Sequence, residues 1–255
     1  MNQIVTTLKE LKLHGMVECL ATQDILKQDL SFEEKLEFLL HYESTLRKNK
    51  KIKRLFADSN LRQNTRLEDI QSEEKLGLTR TQLLSLMRLD FINEKRNLII
   101  TGATGCGKTH LACAIGNKCC IESYTVKFIK LPTFLEEIQL SHETGTFMKM
   151  LNKLINYDLL ILDDFGLTNI EEKQLHDLFN IIDERYKIKS TIITSQLPIS
   201  SWHSYFKHPT MADAIMDRLL SQTDKIELTG DSLRWDENKD KLAKNSKKPE
   251  EKKMT

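Results

Sequence analysis

Gly102-Ala103-Thr104-Gly105-Cys106-Gly107-Lys108-Thr109 reads G-x-x-x-x-G-K-T. The apolar run Leu98-Ile99-Ile100-Thr101 precedes it, and the helical pattern Leu111, Ala112, Ile115 follows it. Strand, glycine loop and helix in that order predict a phosphate-binding P-loop. The glycines let backbone N–H groups turn toward one point without obstruction by Cβ. Those N–H groups and the helix N-terminus then surround a polyphosphate, here the stretch Gly102 to His110. Lys108 is expected to reach the β- and γ-phosphates, and the Thr109 hydroxyl to ligate Mg²⁺.

A second stretch, Leu159-Leu160-Ile161-Leu162-Asp163-Asp164, places two acids after four apolar residues. A strand buried on both faces is apolar throughout and exposes its first polar residue at its C-terminal edge. In open α/β sheets that edge binds ligands. Asp163 is therefore expected to hold Mg²⁺, directly or through water. Asp164 is expected to orient and deprotonate an attacking water. Thr194, Ser195 and Gln196 end the next strand. One of them is expected to hydrogen-bond the γ-phosphate or the water. Cys106 lies inside the loop, where Lys108 and the helix N-terminus favour a thiolate, so a reactive thiol is expected.

Around these stretches the chain alternates strand and helix. Strands are expected at 98–101, 126–129, 159–162, 191–194 and 225–228, and helices at 80–93, 132–138, 145–156, 171–187 and 211–220. Five strands alternating with helices predict an α/β fold with a five-stranded parallel sheet. Residues 1–57 read as helical. Ser31 and Glu34 form a capping-box pattern, and Phe32, Leu36, Leu39 and Leu40 have the spacing of one buried helix face. The same run ends in Arg47, Lys48, Lys50, Lys51, Lys53 and Arg54. Those bases read either as a solvated helix end or as a nucleic-acid contact. The expected organisation is a helical domain over 1–60, an ATPase domain over 61–235 and a lysine- and glutamate-rich disordered tail over 236–255.

Bulk properties narrow the function. The formal net charge is +1. The whole molecule is not drawn to nucleic acid, so such binding needs a local patch. No segment approaches the ~18 apolar residues of a membrane span, and no signal-peptide core opens the chain. The five cysteines form no C-x-x-C pair and read as free thiols of a cytoplasmic protein. The histidines show no metal-binding pairing; His203 and His208 read as loop residues.

The parts, in this order, resemble an AAA+ ATPase. TGATGCGKTHLACAIG, YDLLILDDFG, FNIIDERY, TIITSQLP and AIMDRLL resemble the IstB-type helper ATPases of bacterial insertion sequences. They resemble DnaC-type helicase loaders less closely. The resemblance implies a sheet in which the strand of Thr194 to Gln196 lies between the P-loop strand and the Asp163-Asp164 strand. It implies ATP and Mg²⁺ as ligands, duplex DNA and a cognate transposase as partners, and ATP- and DNA-dependent homo-oligomers. It carries over Lys108, Asp163 and Asp164 as catalytic, and Arg218 as an arginine offered to a neighbour's γ-phosphate. A surface pair of Arg218 with Asp217 or Asp213 is the alternative. Arg185 and Arg234 are the further candidates for an arginine acting in trans. This chain departs from the AAA+ pattern by reading Thr-Ser-Gln where Asn is usual at the sensor. A polar tail, rather than a C-terminal lid, follows Leu228. A helicase loader and an ATP-switched DNA-binding protein with incidental hydrolysis remain as other readings.

Overall fold

The computed structural model describes residues 2–22, 25, 29–70 and 77–229. They fall into two compact units, Met1–Ala57 and Asp58–Thr255. The expected tail over 236–255 and Arg234 lie outside the described residues.

The first unit is helical. It contains α1 (Asn2–Glu10), α2 (His14–Thr22) and the greater part of α3 (Phe32–Ser59). Ser31 caps α3 as the sequence predicts: its hydroxyl accepts from Glu34 N–H at 3.2 Å, and Glu34 accepts from Ser31 N–H at 2.8 Å. The buried carboxylate of Glu43 accepts from Gly15 N–H at 2.5 Å and Met16 N–H at 3.2 Å. It thereby satisfies the unpaired donors at the start of α2. Arg47 Nε donates to Glu43 at 2.6 Å, and Arg47 Nη2 donates to the Lys12 carbonyl at 3.2 Å. One expectation fails here. Phe32 is 77% exposed, and Leu36 and Leu40 are exposed as well. Helical spacing identifies a face, but not the element that covers it.

The second unit is built on one sheet of β1 (Asn97–Gly102), β2 (Val126–Lys130), β3 (Leu159–Phe165), β4 (Ser190–Ser195) and β5 (Thr223–Leu228). Their order is β2-β3-β4-β1-β5, and every pairing is parallel. The strand ending in Ser195 thus lies between the P-loop strand and the aspartate strand, as the resemblance implies. β3 and β4 are buried almost throughout, the pattern of strands covered on both faces.

The helices are α4 (Arg80–Arg88), α5 (Asp90–Asn93), α6 (Lys108–Ile121), α7 (Leu131–Glu143), α8 (Phe147–Asn156), α9 (Glu172–Arg185), α10 (Trp202–Tyr205) and α11 (Pro209–Leu220). The stripe Phe134, Leu135, Ile138 of α7 joins Leu175, Leu178 and Ile182 of α9 and Ile215 of α11 in the main core. α6 is buried along most of its length. Two local readings are corrected. The single helix expected over 80–93 breaks at Leu89, which is left-handed (φ 58°). His203 lies within α10, whose Trp202 packs on Phe165 with ring centroids 4.6 Å apart.

Residues 61–65, which follow α3, are docked on α6. Asn117 Nδ2 on α6 donates to the Gln63 and Thr65 carbonyls, both at 2.8 Å. Gly116 lets this segment come close, because a Cβ there would lie 2.7 Å from Leu61 Cδ2. Gln63 is thereby held beside the start of α6.

Candidate nucleotide site

The C-terminal ends of β1, β3 and β4 and the N-terminus of α6 converge on one cavity. It has a volume of about 460 Å³ and is lined by Gln63, Thr104, Gly105, Gly107, Lys108, Thr109, His110, Lys130, Asp164 and Gln196. Gly102, Gly105 and Gly107 all have positive φ (149°, 86° and 96°). A chain of L side chains would be strained there. Gly107 is the N-cap of α6, so that helix directs its free N–H groups and its positive dipole end into the cavity. The Lys108 ammonium donates to the Gly102 and Ala103 carbonyls at 2.8 and 2.7 Å. It is folded into the loop it belongs to.

Asp163 is fully buried. The Thr109 hydroxyl lies 2.9 and 3.1 Å from its two carboxylate oxygens, and the Thr194 hydroxyl donates to it at 2.5 Å. Among the described residues no basic side chain forms an ion pair with it. A buried carboxylate without a cation is costly. Hard oxygen donors gathered around it suit Mg²⁺.

Asp164 sits differently. A register shift between β3 and β4 at Leu162/Phe165 gives it a left-handed backbone (φ 62°). Such bulges re-aim a side chain. Its N–H donates to the Thr194 hydroxyl at 3.2 Å, and its carboxylate pairs with Lys130 at the cavity wall. The two adjacent acids thus have separate surroundings, one enclosed and one facing the cavity.

The sequence-predicted residues separate on this geometry. The Gln196 side chain accepts from the Thr104 hydroxyl at 2.7 Å and lines the cavity. The Ser195 hydroxyl is buried; it donates to the Phe165 carbonyl at 2.7 Å and accepts from Leu197 N–H at 3.0 Å. Thr194, at the same strand end, joins the two aspartates. His110 Nδ1 lies 3.0 Å from the Gln63 side-chain oxygen. Cys106, expected to be a reactive thiol, is buried and so shielded from reagents; its sulfur packs beneath Gly102, where a Cβ would lie 2.8 Å from it. The other thiols are disfavoured as thiolates: burial raises Cys19 and Cys113, raises Cys119 well above its ordinary value and pushes Cys120 up to about 11.

The arginines also separate. Arg218 Nε donates to Asp183 at 2.9 Å, and its guanidinium stacks 5.6 Å from the Phe179 ring centroid. It also meets Asp217 at 3.3 Å, one of the two pairings that the alternative names. Arg185 is buried. It donates to the Leu154, Tyr157 and Ser190 carbonyls at 2.8, 2.7 and 2.5 Å and to the Thr191 hydroxyl at 3.2 Å. Burial pulls Arg185 down to about 9, which leaves it charged at neutral pH. It is a clamp between α8 and β4.

Sequence reasoning passed over Lys130 and Gln63. Lys130 had a usable signal, since it ends the strand next to Asp163. Gln63 had none, because its place depends on Asn117 and Gly116 from another part of the chain.

Residues 6–241 match the family of IstB-like ATP binding proteins. The chain belongs to that family. It is 39% identical to an insertion sequence ATP-binding protein of Sinorhizobium fredii, over 81% of this chain and 84% of the relative. It is 38% identical to an insertion sequence ATP-binding protein of Pseudomonas fluorescens, over 77% and 87% respectively. Two solved structures share its fold. DnaI matches with a TM-score of 0.54 and 21% identity, over 65% of this chain and 92% of that one. AMPPCP-bound DnaA from Aquifex aeolicus matches with a TM-score of 0.54 and 23% identity, over 76% and 59%. This IstB-like chain is therefore an ATP-binding P-loop ATPase of AAA+ fold. Among the described residues, no helix is long and apolar enough to cross a membrane.

Proposed function

We propose that this IstB-like ATPase assembles on duplex DNA as an ATP-dependent homo-oligomer and assists a transposase in selecting or preparing target DNA. The observation that carries the ATPase half is the cavity that joins the P-loop to Asp163 and Asp164. Backbone N–H groups of the loop and Lys108 hold the phosphates. Lys108 leaves the Gly102 and Ala103 carbonyls for the more strongly charged partner. Thr109 and Asp163 would hold Mg²⁺, which would supply charge that neutralises the phosphates. Asp164 accepts a proton from water as the water oxygen bonds to the terminal phosphorus and the bridging bond to ADP breaks. Gln196, which lines the cavity and is tied to Thr104, senses the terminal phosphate in this reading. Arg218, on the surface and held in reserve by Asp183, acts on the nucleotide of an adjacent subunit.

The DNA half is supported by the family's insertion-sequence relatives and by α3. Arg47, Lys48, Lys50, Lys51, Lys53 and Arg54 are all exposed in the second half of that helix, ahead of its last turn. Positions 47, 50, 51 and 54 share one face by helical spacing. Such a stripe fits phosphate contacts that fix position without reading sequence. Electron microscopy of the protein with duplex DNA, with and without ATP, tests the proposal. Regular ATP-dependent particles on DNA are expected. Nucleotide-bound monomers that ignore DNA would refute it. Loading of a helicase in place of DNA assembly would favour the helicase-loader reading.

A further inference from the structure

We infer that Gln63 is a nucleotide contact from outside the P-loop: its side-chain amide donates to a phosphate oxygen at the α-phosphate end of the bound nucleotide. The inference rests on the reading of the cavity as the phosphate site. Gln63 is distant from the P-loop in sequence, yet it lines the same cavity as Lys108, Thr109 and His110. The segment that carries it is fixed on both sides. Leu61 packs against Gly116 on α6, where a Cβ would lie 2.7 Å from Leu61 Cδ2. The Arg62 guanidinium stacks 5.9 Å from the Phe128 ring centroid on β2. Asn117 Nδ2 receives the Gln63 and Thr65 carbonyls as acceptors, both at 2.8 Å. The backbone is thus ordered before any ligand arrives, and only the side chain is left to immobilise on binding.

His110 decides which end of the amide is left for a ligand. Its Nδ1 lies 3.0 Å from Gln63 Oε1. With the proton on Nδ1, the ring donates to the amide oxygen. The amide nitrogen then keeps two N–H donors, and it takes no partner among the described residues. Donors suit a phosphate oxygen, which accepts and carries charge, so the contact is stronger than one between neutral groups. His110 also sets the place along the nucleotide. Loop N–H groups cradle the α- and β-phosphates, and the lysine reaches the β- and γ-phosphates. His110 follows Lys108 and Thr109 in the first turn of α6. It stands beyond the residues that serve the terminal phosphate and Mg²⁺, at the α-phosphate end, and Gln63 stands beside it.

The test is calorimetric titration of the full chain with ATP and with ADP, for the wild type, Gln63→Ala, Gln63→Glu and, as a control, Lys108→Ala. Gln63→Ala is expected to raise the Kd of both nucleotides by the same factor, about fivefold to tenfold. Gln63→Glu keeps an acceptor for His110 but puts a negative oxygen where the donor was. It is expected to bind both nucleotides at least about threefold more weakly than Gln63→Ala, through repulsion of the phosphate. A purely structural role predicts the reverse order, because Gln63→Glu preserves the His110 contact and Gln63→Ala does not. Wild-type affinity in Gln63→Ala, or tighter binding by Gln63→Glu than by Gln63→Ala, with Lys108→Ala impaired, overturns the inference and leaves the phosphate site in place. A loss confined to ATP overturns it as well, since the contact would then lie at the terminal phosphate. Wild-type affinity in Lys108→Ala overturns the underlying reading of the cavity instead.

Discussion

The Thr109 hydroxyl and the Asp163 carboxylate, 54 residues apart in sequence, lie within hydrogen-bond distance at 2.9 and 3.1 Å. The contact joins the first turn of α6 to the end of β3 across β4, because Thr194 holds the other side of Asp163 at 2.5 Å. Strand order makes this possible. With β4 between β1 and β3, three strand ends meet at one helix N-terminus.

Lys108→Ala should weaken ATP binding by at least about tenfold, because a charge-assisted contact to phosphate is lost. It should also prevent ATP-dependent assembly on DNA. A fluorescent-nucleotide titration measures the first effect; unchanged affinity would remove Lys108 from the phosphate site.

Neutralising Lys48, Lys50, Lys51, Lys53 and Arg54 should weaken binding to all DNA sequences alike. The slope of log affinity against log salt should flatten by up to about 4, as fewer counterions are released. Arg47 is left out of this set because it ties Glu43 and Lys12 together within the first unit. A slope equal to that of the wild type would make the stripe a solvated helix face.

Arg185→Leu should destabilise the protein by about 3 kcal/mol or more, since several buried carbonyls lose their donor. Arg218→Ala should leave stability nearly unchanged and remove turnover that depends on assembly. Urea unfolding, read beside ATPase rates at rising protein concentration, separates the two arginines.

All five cysteines are free and buried. Native protein should therefore react slowly with a thiol reagent, with or without ATP, and all five thiols should react after denaturation. Mass-spectrometric mapping checks this. Rapid labelling of Cys106 in the native state would show that the loop opens.

Legibility in the sequence followed the range of the interactions. The P-loop, β3 and the Ser31 cap are specified by neighbouring residues, and each reads directly. The sheet order is not local; it came from the resemblance to AAA+ proteins. What escaped depends on contacts between distant segments: Gln63 is placed by Asn117, and Lys130 meets Asp164 through a bulge in β3. Burial was misjudged in both directions. Phe32 has helical-face spacing yet is exposed, and Cys106 lies in a ligand loop yet is covered. Pattern shows which way a side chain points along its own element, but not what stands opposite.

Asp164→Asn tests the account most directly, with nucleotide binding, hydrolysis and DNA assembly measured on one preparation. The variant keeps the shape of the side chain and loses the proton acceptor. The account predicts retained ATP affinity, turnover lowered at least about 100-fold, and ATP-state oligomers that accumulate on duplex DNA. Turnover at the wild-type rate would contradict it and place the catalytic acid elsewhere.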